Sequence, residues 1–344
     1  MPLTIIASER FAEHLTPPGH PERPERAEAM EAVAEAWRRQ GGEVVAPRAA
    51  TTAQLARVHG TEYLRKIAAT SGFSEALDPD TYTSPESHEI ALLAAGAAID
   101  AVERVLGAEQ HRTLALVRPP GHHAECNRAM GFCFYNNVAV AASHARALGV
   151  GRVAIVDYDV HHGNGTQHMF ESDPEVLYIS LHQFPFYPGT GAVKEMGIGR
   201  GAGFTVNIPL EVGAVDGDYQ LAFASIVSPV LRQFEPALIV VSAGFDAHER
   251  DPLAGMRLTS AAFGAMTMEL RLVADECCNG RLAVVTEGGY DLRGLAESLQ
   301  ATIQALTDKG SRSPHWPSAD SSSTRRGTAA VAAVRESLAR YWRI

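Results

Sequence analysis

Apolar residues fall into two kinds of run along this chain. Short continuous runs at 3–7, 113–117, 152–156, 176–180, 204–208, 237–241 and 281–285 read as buried strands. Longer stretches rich in alanine and leucine, at 24–39, 86–106, 136–148, 218–233, 260–276 and 292–306, read as helices. Pro24 suits the first turn of the first helix, and Gly41-Gly42 ends it. A further helix begins at Thr51-Thr52 and carries Leu55, Val58 and Tyr63. Asp78-Pro79-Asp80-Thr81-Tyr82-Thr83-Ser84-Pro85 reads as a loop. Strands that alternate with helices predict an α/β fold, a parallel sheet covered on both faces. In such sheets ligands bind outside the carboxyl ends of the strands. Segment 311–326 holds proline, aspartate and a serine run and is expected to be an exposed excursion. A terminal helix at 328–340 is expected to dock back onto the same domain.

Length and composition narrow the class. With 344 residues, 46% of them hydrophobic, the chain can bury a substantial core. Its 30 basic and 40 acidic residues give a net charge of -10, which argues against direct nucleic-acid binding and favours a cationic substrate only weakly. Cys126, Cys133, Cys277 and Cys278 have the spacing of neither a disulfide framework nor a zinc knuckle. No apolar run reaches the roughly 18 residues of a membrane span, and residues 1–10 lack a secretory pattern. The expected setting is the cytoplasm, without a membrane partner.

The polar residues that follow the predicted strands carry the chemistry. Asp157-Tyr158-Asp159-Val160-His161-His162 comes directly after the run ending at Val156. Asp159 and His161 point the same way in an extended segment, and Asp246 can join them through the fold. A lone aspartate in a loop is more often a helix cap, but two carboxylates and one imidazole suit zinc and leave a position open for water. An all-oxygen magnesium or manganese site is less natural with these ligands; iron(II) and cobalt stay open as alternatives. His122 and His123 are candidates for acid/base work, with Asp157 and Asn164 as the partners that fix their tautomers. His123 is expected to take a proton as metal-activated water attacks an amide, and then to protonate the departing amine. His122 is expected to give mainly electrostatic support. Tyr290, in Glu287-Gly288-Gly289-Tyr290-Asp291, is the oxyanion candidate; taken alone it could equally be a packing aromatic.

These motifs together resemble the histone deacetylase family and its bacterial amidohydrolase relatives. The likeness rests on Arg118-Pro119-Pro120-Gly121-His122-His123-Ala124-Glu125, Gly131-Phe132-Cys133-Phe134-Tyr135-Asn136-Asn137, the segment 157–167, Ser242-Ala243-Gly244-Phe245-Asp246 and Glu287-Gly288-Gly289-Tyr290. It runs from about His20 to Leu306. Asn164, where class I relatives usually carry aspartate, places the chain nearer the class II type. The resemblance implies an arginase–deacetylase fold with a mostly parallel eight-stranded sheet, and a single catalytic domain over 1–344.

It also implies further site residues. Phe132 and Tyr187 would wall a channel for the methylenes of acetyl-lysine, and Asp80 would hold the substrate backbone at the rim; core packing and turn formation are the rival uses. Leu253 stands where the polyamine-specialised relative has glutamate, which weakens an acetylpolyamine assignment without removing it. Potassium is expected at an inner site formed by Asp157, Asp159, His161, Ser180 and Leu181. A second site would involve Phe170, Asp173, Val176 and Phe204. Arg26 would lie behind the site, or serve as a helix-start salt bridge. The substrate would be an acetyl-lysine peptide or protein, with a small acetylated amine such as a polyamine as the alternative. A noncatalytic acyl-lysine reader is the third reading.

Overall fold

The computed structural model describes residues 3–107, 112–308, 310–317 and 324–344. Eight strands form one sheet: β1 (Leu3–Ile6), β2 (Glu43–Val45), β3 (Arg112–Ala115), β4 (Val153–Asp157), β5 (Val176–Gln183), β6 (Thr205–Leu210), β7 (Leu238–Ala243) and β8 (Leu282–Thr286). The spatial order is β2-β1-β3-β8-β7-β4-β5-β6. Every pairing between these strands is parallel, so all of their carboxyl ends share one edge.

The strands are apolar throughout because both faces are covered. Ala154, Val156, Ile239, Val241, Leu282 and Val284 point into one core, which residues of α1 (Glu25–Arg39), α9 (Ser260–Cys277), α10 (Leu292–Thr307) and α11 (Arg325–Leu338) complete. The intervening Val153, Ile155, Leu238, Val240, Ala283 and Val285 point into a second core, under α4 (Ser87–Leu106) and α5 (Asn137–Ala147). Among the described residues no helix is long and apolar enough to cross a membrane.

Several elements depart from the expectations. Strand β2 was not predicted: it is three residues long, Glu43 is exposed, and Val44 and Val45 are half-buried, so it carries no apolar run. The helix expected from Thr51 is two pieces, α2 (Thr52–Leu55) and α3 (Thr61–Ala68). Gly60 lies extended between them, and the His59 ring is bonded to other segments, with Nδ1 3.0 Å from the Glu125 carbonyl and Nε2 3.0 Å from the Asn136 amide. The helix expected over 218–233 starts earlier as α7 (Asp216–Ala222), passes through a wide π turn at Phe223–Val227 and continues as α8 (Ser228–Phe234). Pro229 lies at the start of α8, directly after the π turn. A short α6 (Asn164–Phe170) follows the motif at 157–162, where no helix is expected. Of the expected excursion at 311–326, residues 318–323 lie outside the described residues, and the last helix spans Arg325–Leu338 rather than 328–340. It packs on β6 and α7.

Candidate active site

The chemistry-bearing residues follow four strands that are adjacent at the middle of the sheet, β3, β8, β7 and β4. His122 and His123 follow β3, Glu287 and Tyr290 follow β8, Asp246 follows β7, and Asp159 and His161 follow β4. Parallel pairing brings these ends together although the residues run from position 122 to position 290 of the sequence.

Asp159, His161 and Asp246 are buried, and one donor atom from each lies within 4.8 Å of the others. His161 Nδ1 is 3.2 Å from Asp159 Oδ1 and 3.1 Å from Asp246 Oδ2. The carboxylates are oriented by backbone N–H donors, from Gly288 to Asp159 Oδ2 at 2.9 Å and from Val160 to Asp246 Oδ1 at 2.9 Å. Two glycines make the room. A Cβ on Gly244 would lie 2.0 Å from Asp159 Oδ2, and one on Gly288 would lie 2.2 Å from Asp246 Oδ2.

The electrostatics call for a cation there. Burial and then the Asp159 charge push Asp246 up to about 7. His161 moves up to about 10: burial lowers it, but its contacts with Asp159 and Asp246 outweigh that. In the protein alone a His161 imidazolium would offset only one of the two carboxylate charges. A divalent ion can replace the imidazolium proton, and two oxygens with one nitrogen form a donor set that fits one.

His122 and His123 lie beside this cluster, with ring centroids 4.0 Å apart. His122 Nδ1 is 3.1 Å from Asp157 Oδ2, and its Nε2 is 3.7 Å from Asp159 Oδ1. Burial lowers His122, yet Asp159 and Asp157 carry it up to about 10. His123 Nδ1 is 2.8 Å from Asn164 Oδ1. Burial and the neighbouring His122 hold His123 well below the usual histidine range. The pair thus splits into a charged member and a neutral one, and the neutral imidazole can accept a proton.

Tyr290 is buried, and its amide donates to Asp251 Oδ2 at 2.6 Å. Burial raises the phenol well above its ordinary range, so it remains a hydrogen-bond donor. Arg26, fully buried, lies 5.0 Å from the centroid of the Tyr290 ring and donates to the carbonyls of Gly289 at 2.7 Å and Glu287 at 2.6 Å. The helix-start salt bridge is present as well, from Arg26 to Glu22 Oε1 at 2.8 Å.

Around the mouth, Phe132 meets Tyr290 edge-on at 5.8 Å, and Tyr187, 38% exposed, meets His123 edge-on at 5.2 Å. Phe186, to which the sequence reading gave no role, stacks on His161 at 5.4 Å. The hydrophobic side chain of Phe132 sits on a left-handed backbone, φ 69°. Two bonds hold that strained turn: Phe132 N–H to Thr81 Oγ1 at 3.0 Å and Gly131 N–H to Asp80 Oδ1 at 3.2 Å. The Asp80 carboxylate is thereby engaged within the protein. Burial, followed by Asp78, pushes it up to about 6. Leu253 lines a cavity of about 480 Å³ with His20, Pro252 and Tyr290 beside the mouth.

Among the residues expected at the inner potassium site, Asp157 lies opposite Ser180 in the β4–β5 pairing. Its Oδ2 accepts from Tyr178 at 3.0 Å and its Oδ1 from the Asp159 amide at 3.1 Å. Ser180 Oγ is 2.9 Å from His182 Nδ1, and Leu181 is buried in β5. At the outer group, the carbonyls of Phe170, Asp173 and Phe204 each accept a backbone amide.

Glu125 and Glu287 stand in the motifs with no role that the sequence assigns. Glu287 Oε2 accepts from the amides of Gly121 at 2.6 Å and His122 at 3.1 Å, and Oε1 accepts from Ser242 at 2.9 Å. It fastens the histidine loop to β8. The signal in the sequence was an acidic residue directly after an apolar strand, a position that folding buries.

An eight-stranded parallel sheet with this site at its carboxyl edge is the arginase–deacetylase fold. A model of the histone deacetylase domain family matches residues 20–306, and the chain belongs to that family. It is 40% identical over 293 residues to a probable deacetylase of Archaeoglobus fulgidus, covering 84% of this chain and 82% of that one. It is 48% identical over 246 residues to a histone deacetylase-like amidohydrolase of Pseudomonas aeruginosa, covering 70% of this chain and 64% of the relative. The crystal structure of the HDA15 HD domain superposes with a TM-score of 0.90 at 38% identity, covering 99% of this chain and 95% of that one. Membership brings amidohydrolase chemistry on acyl-amide bonds, and the cluster is compatible with a divalent metal.

Proposed function

We propose that the chain is a zinc-dependent deacetylase of acetyl-lysine in peptides or proteins, acting as one catalytic domain. The observation that carries this reading is geometric: the buried Asp159–His161–Asp246 cluster with His122 paired to Asp157 and His123 paired to Asn164 beside it. Zinc held by those three residues would supply carbonyl polarisation and a more acidic water.

The chain's own groups do the rest. Neutral His123 takes the proton from the attacking water and returns it to the leaving amine. Charged His122, held by Asp157, stabilises the negative charge that develops. Tyr290 donates to the carbonyl oxygen as it gains charge. Phe132 and Tyr187 line the acyl-lysine stem, and Asp80 acts at the rim, directly or by holding the Phe132 turn. Acetate and free amine leave.

Potassium bound near Asp157, Asp159, His161, Ser180 and Leu181 would offset buried negative charge beside His122. The Phe170, Asp173, Val176 and Phe204 group is the second candidate, offering mainly backbone carbonyls. Removal and return of potassium should lower and restore turnover.

Hydrolysis of acetylpolyamines is the second reading. Leu253 at the mouth offers a cationic chain no charged contact, which favours the peptide. The test is product formation from matched acetyl-lysine peptides and acetylated putrescine or spermidine, with and without zinc, and with Tyr290→Phe. Zinc-dependent peptide turnover falling by about 10²–10³ in Tyr290→Phe supports the main reading. Preferential polyamine turnover moves the substrate class, and turnover on neither set overturns both readings.

A further inference from the structure

Asn164 accepts from His123, and what holds Asn164 lies one step further out. Asn164 Nδ2 donates to Glu125 Oε1 at 2.6 Å and to the His123 carbonyl at 3.2 Å, with Met130 Sδ at 3.5 Å. Glu125 is in turn bonded to His168, whose Nδ1 lies 2.9 Å from Oε1 and 3.1 Å from Oε2. Asn164 is buried, Glu125 partly so, and His168 reaches the surface.

The chemistry of this chain has a direction. An amide can present either its oxygen or its nitrogen to a histidine, and only its other contacts decide. An ionised carboxylate can only accept. Burial raises Glu125, but its hydrogen bonds to His168 and Asn164 hold it below the usual carboxylate range. Glu125 therefore takes the Asn164 NH2, and Asn164 Oδ1 must face His123. His123 must then carry its proton on Nδ1, which leaves Nε2 unprotonated. The short charge-assisted bond also polarises the amide and makes its oxygen a better acceptor.

We propose that Glu125 is the positioning residue of the reaction: acting through Asn164, it locks His123 in the tautomer that leaves Nε2 free as the base. A neutral asparagine can then serve where a carboxylate would need no such help. The inference rests on the amide-hydrolysis reading above.

A double-mutant cycle separates this role from a structural one. Glu125→Gln should lower kcat about tenfold, the scale on which groups behind a functional histidine act, with KM changed less than twofold. In Asn164→Asp the orienting task disappears, and two carboxylates are left in contact. There Glu125→Gln should leave kcat unchanged or raise it. An equal loss in both backgrounds, or no loss in the natural one, overturns the proposal. The imidazole ¹⁵N shifts of His123 provide the second readout. They should report a single Nδ1–H tautomer in the natural protein and a mixture in Glu125→Ala. A mixture already present in the natural protein overturns the proposal, and this readout holds even if the chain hydrolyses no amide.

Discussion

At the scale of single residues, the site depends on atoms that are missing as much as on those present. Asp159 and Asp246 can converge because Gly244 and Gly288 have no Cβ, and the Gly288 amide is one of the donors that aim Asp159. Gly288→Ala should push both carboxylates out of place. The expected result is zinc affinity weaker by roughly 10–100-fold, read by titration against a chelator of known strength, while the circular dichroism spectrum is unchanged. Unaltered affinity would mean that the carboxylates have other places to sit. His122, His123, Asp159, His161, Asp246 and Tyr290 lie where the four strands end, but partners beyond Asp157 and Asn164 were less legible. Glu125, Glu287 and Asp251 act through the backbone or through a second side chain, and spacing along the chain carries no mark of such contacts.

At the scale of elements, one buried carboxylate ties three segments together. Glu22 Oε1 accepts from Arg26 of α1 at 2.8 Å and from Arg118, at the head of the histidine loop, at 2.6 Å; Arg118 also donates to the Phe11 carbonyl at 2.8 Å. All three side chains are fully buried. Burial raises Glu22, but Arg118 and Arg26 bring it down to about 2. Glu22→Gln leaves two buried guanidinium groups without their counter-charge. The expected cost is about 3–5 kcal/mol, read as a lower urea midpoint with an unchanged slope. A cost below about 1 kcal/mol would show that the arginines find other partners. This clamp was invisible in the sequence, where Arg26 offered either a salt bridge or a place behind the site. The folded chain satisfies both at once, because Arg26 reaches Glu22 and also the carbonyls flanking Gly288.

At the scale of the whole molecule, buried neutral histidines make stability depend on pH. Burial, partly opposed by other contacts, lowers both His14 and His59 to about 4. His59 uses both ring nitrogens, donating to the Glu125 carbonyl and accepting from the Asn136 amide at the start of α5, so protonation removes an acceptor. Their folded values lie below the ordinary 6.5, so the unfolded chain binds more protons between the two. The stability they contribute is complete above about pH 6.5 and is lost as pH falls toward 4. Each contributes on the order of 3 kcal/mol. Urea unfolding from pH 7.5 to 4.5 should show this decline, and His59→Gln, which keeps one donor and one acceptor, should make it shallower. An identical slope in the variant would remove His59 from the account.

The apolar runs by themselves determined seven of the eight strands and most helices, because a parallel sheet covered on both faces demands continuous apolar segments whatever lies around them. They missed β2, whose Glu43 is exposed and whose valines are only half covered, and they joined α2 to α3 because the break at Gly60 leaves the apolar spacing intact. The sequence also named the polar residues at the strand ends, since several carboxylates and imidazoles each follow an apolar run. Tertiary structure alone decided which ends are neighbours. The order β3-β8-β7-β4 is set by crossover connections, which leave no periodic trace in the chain. It alone brings Glu287 under the histidine loop, Arg26 against Tyr290 and Glu125 onto Asn164. Those contacts join positions up to 264 residues apart, and long-range packing, not local preference, selects them.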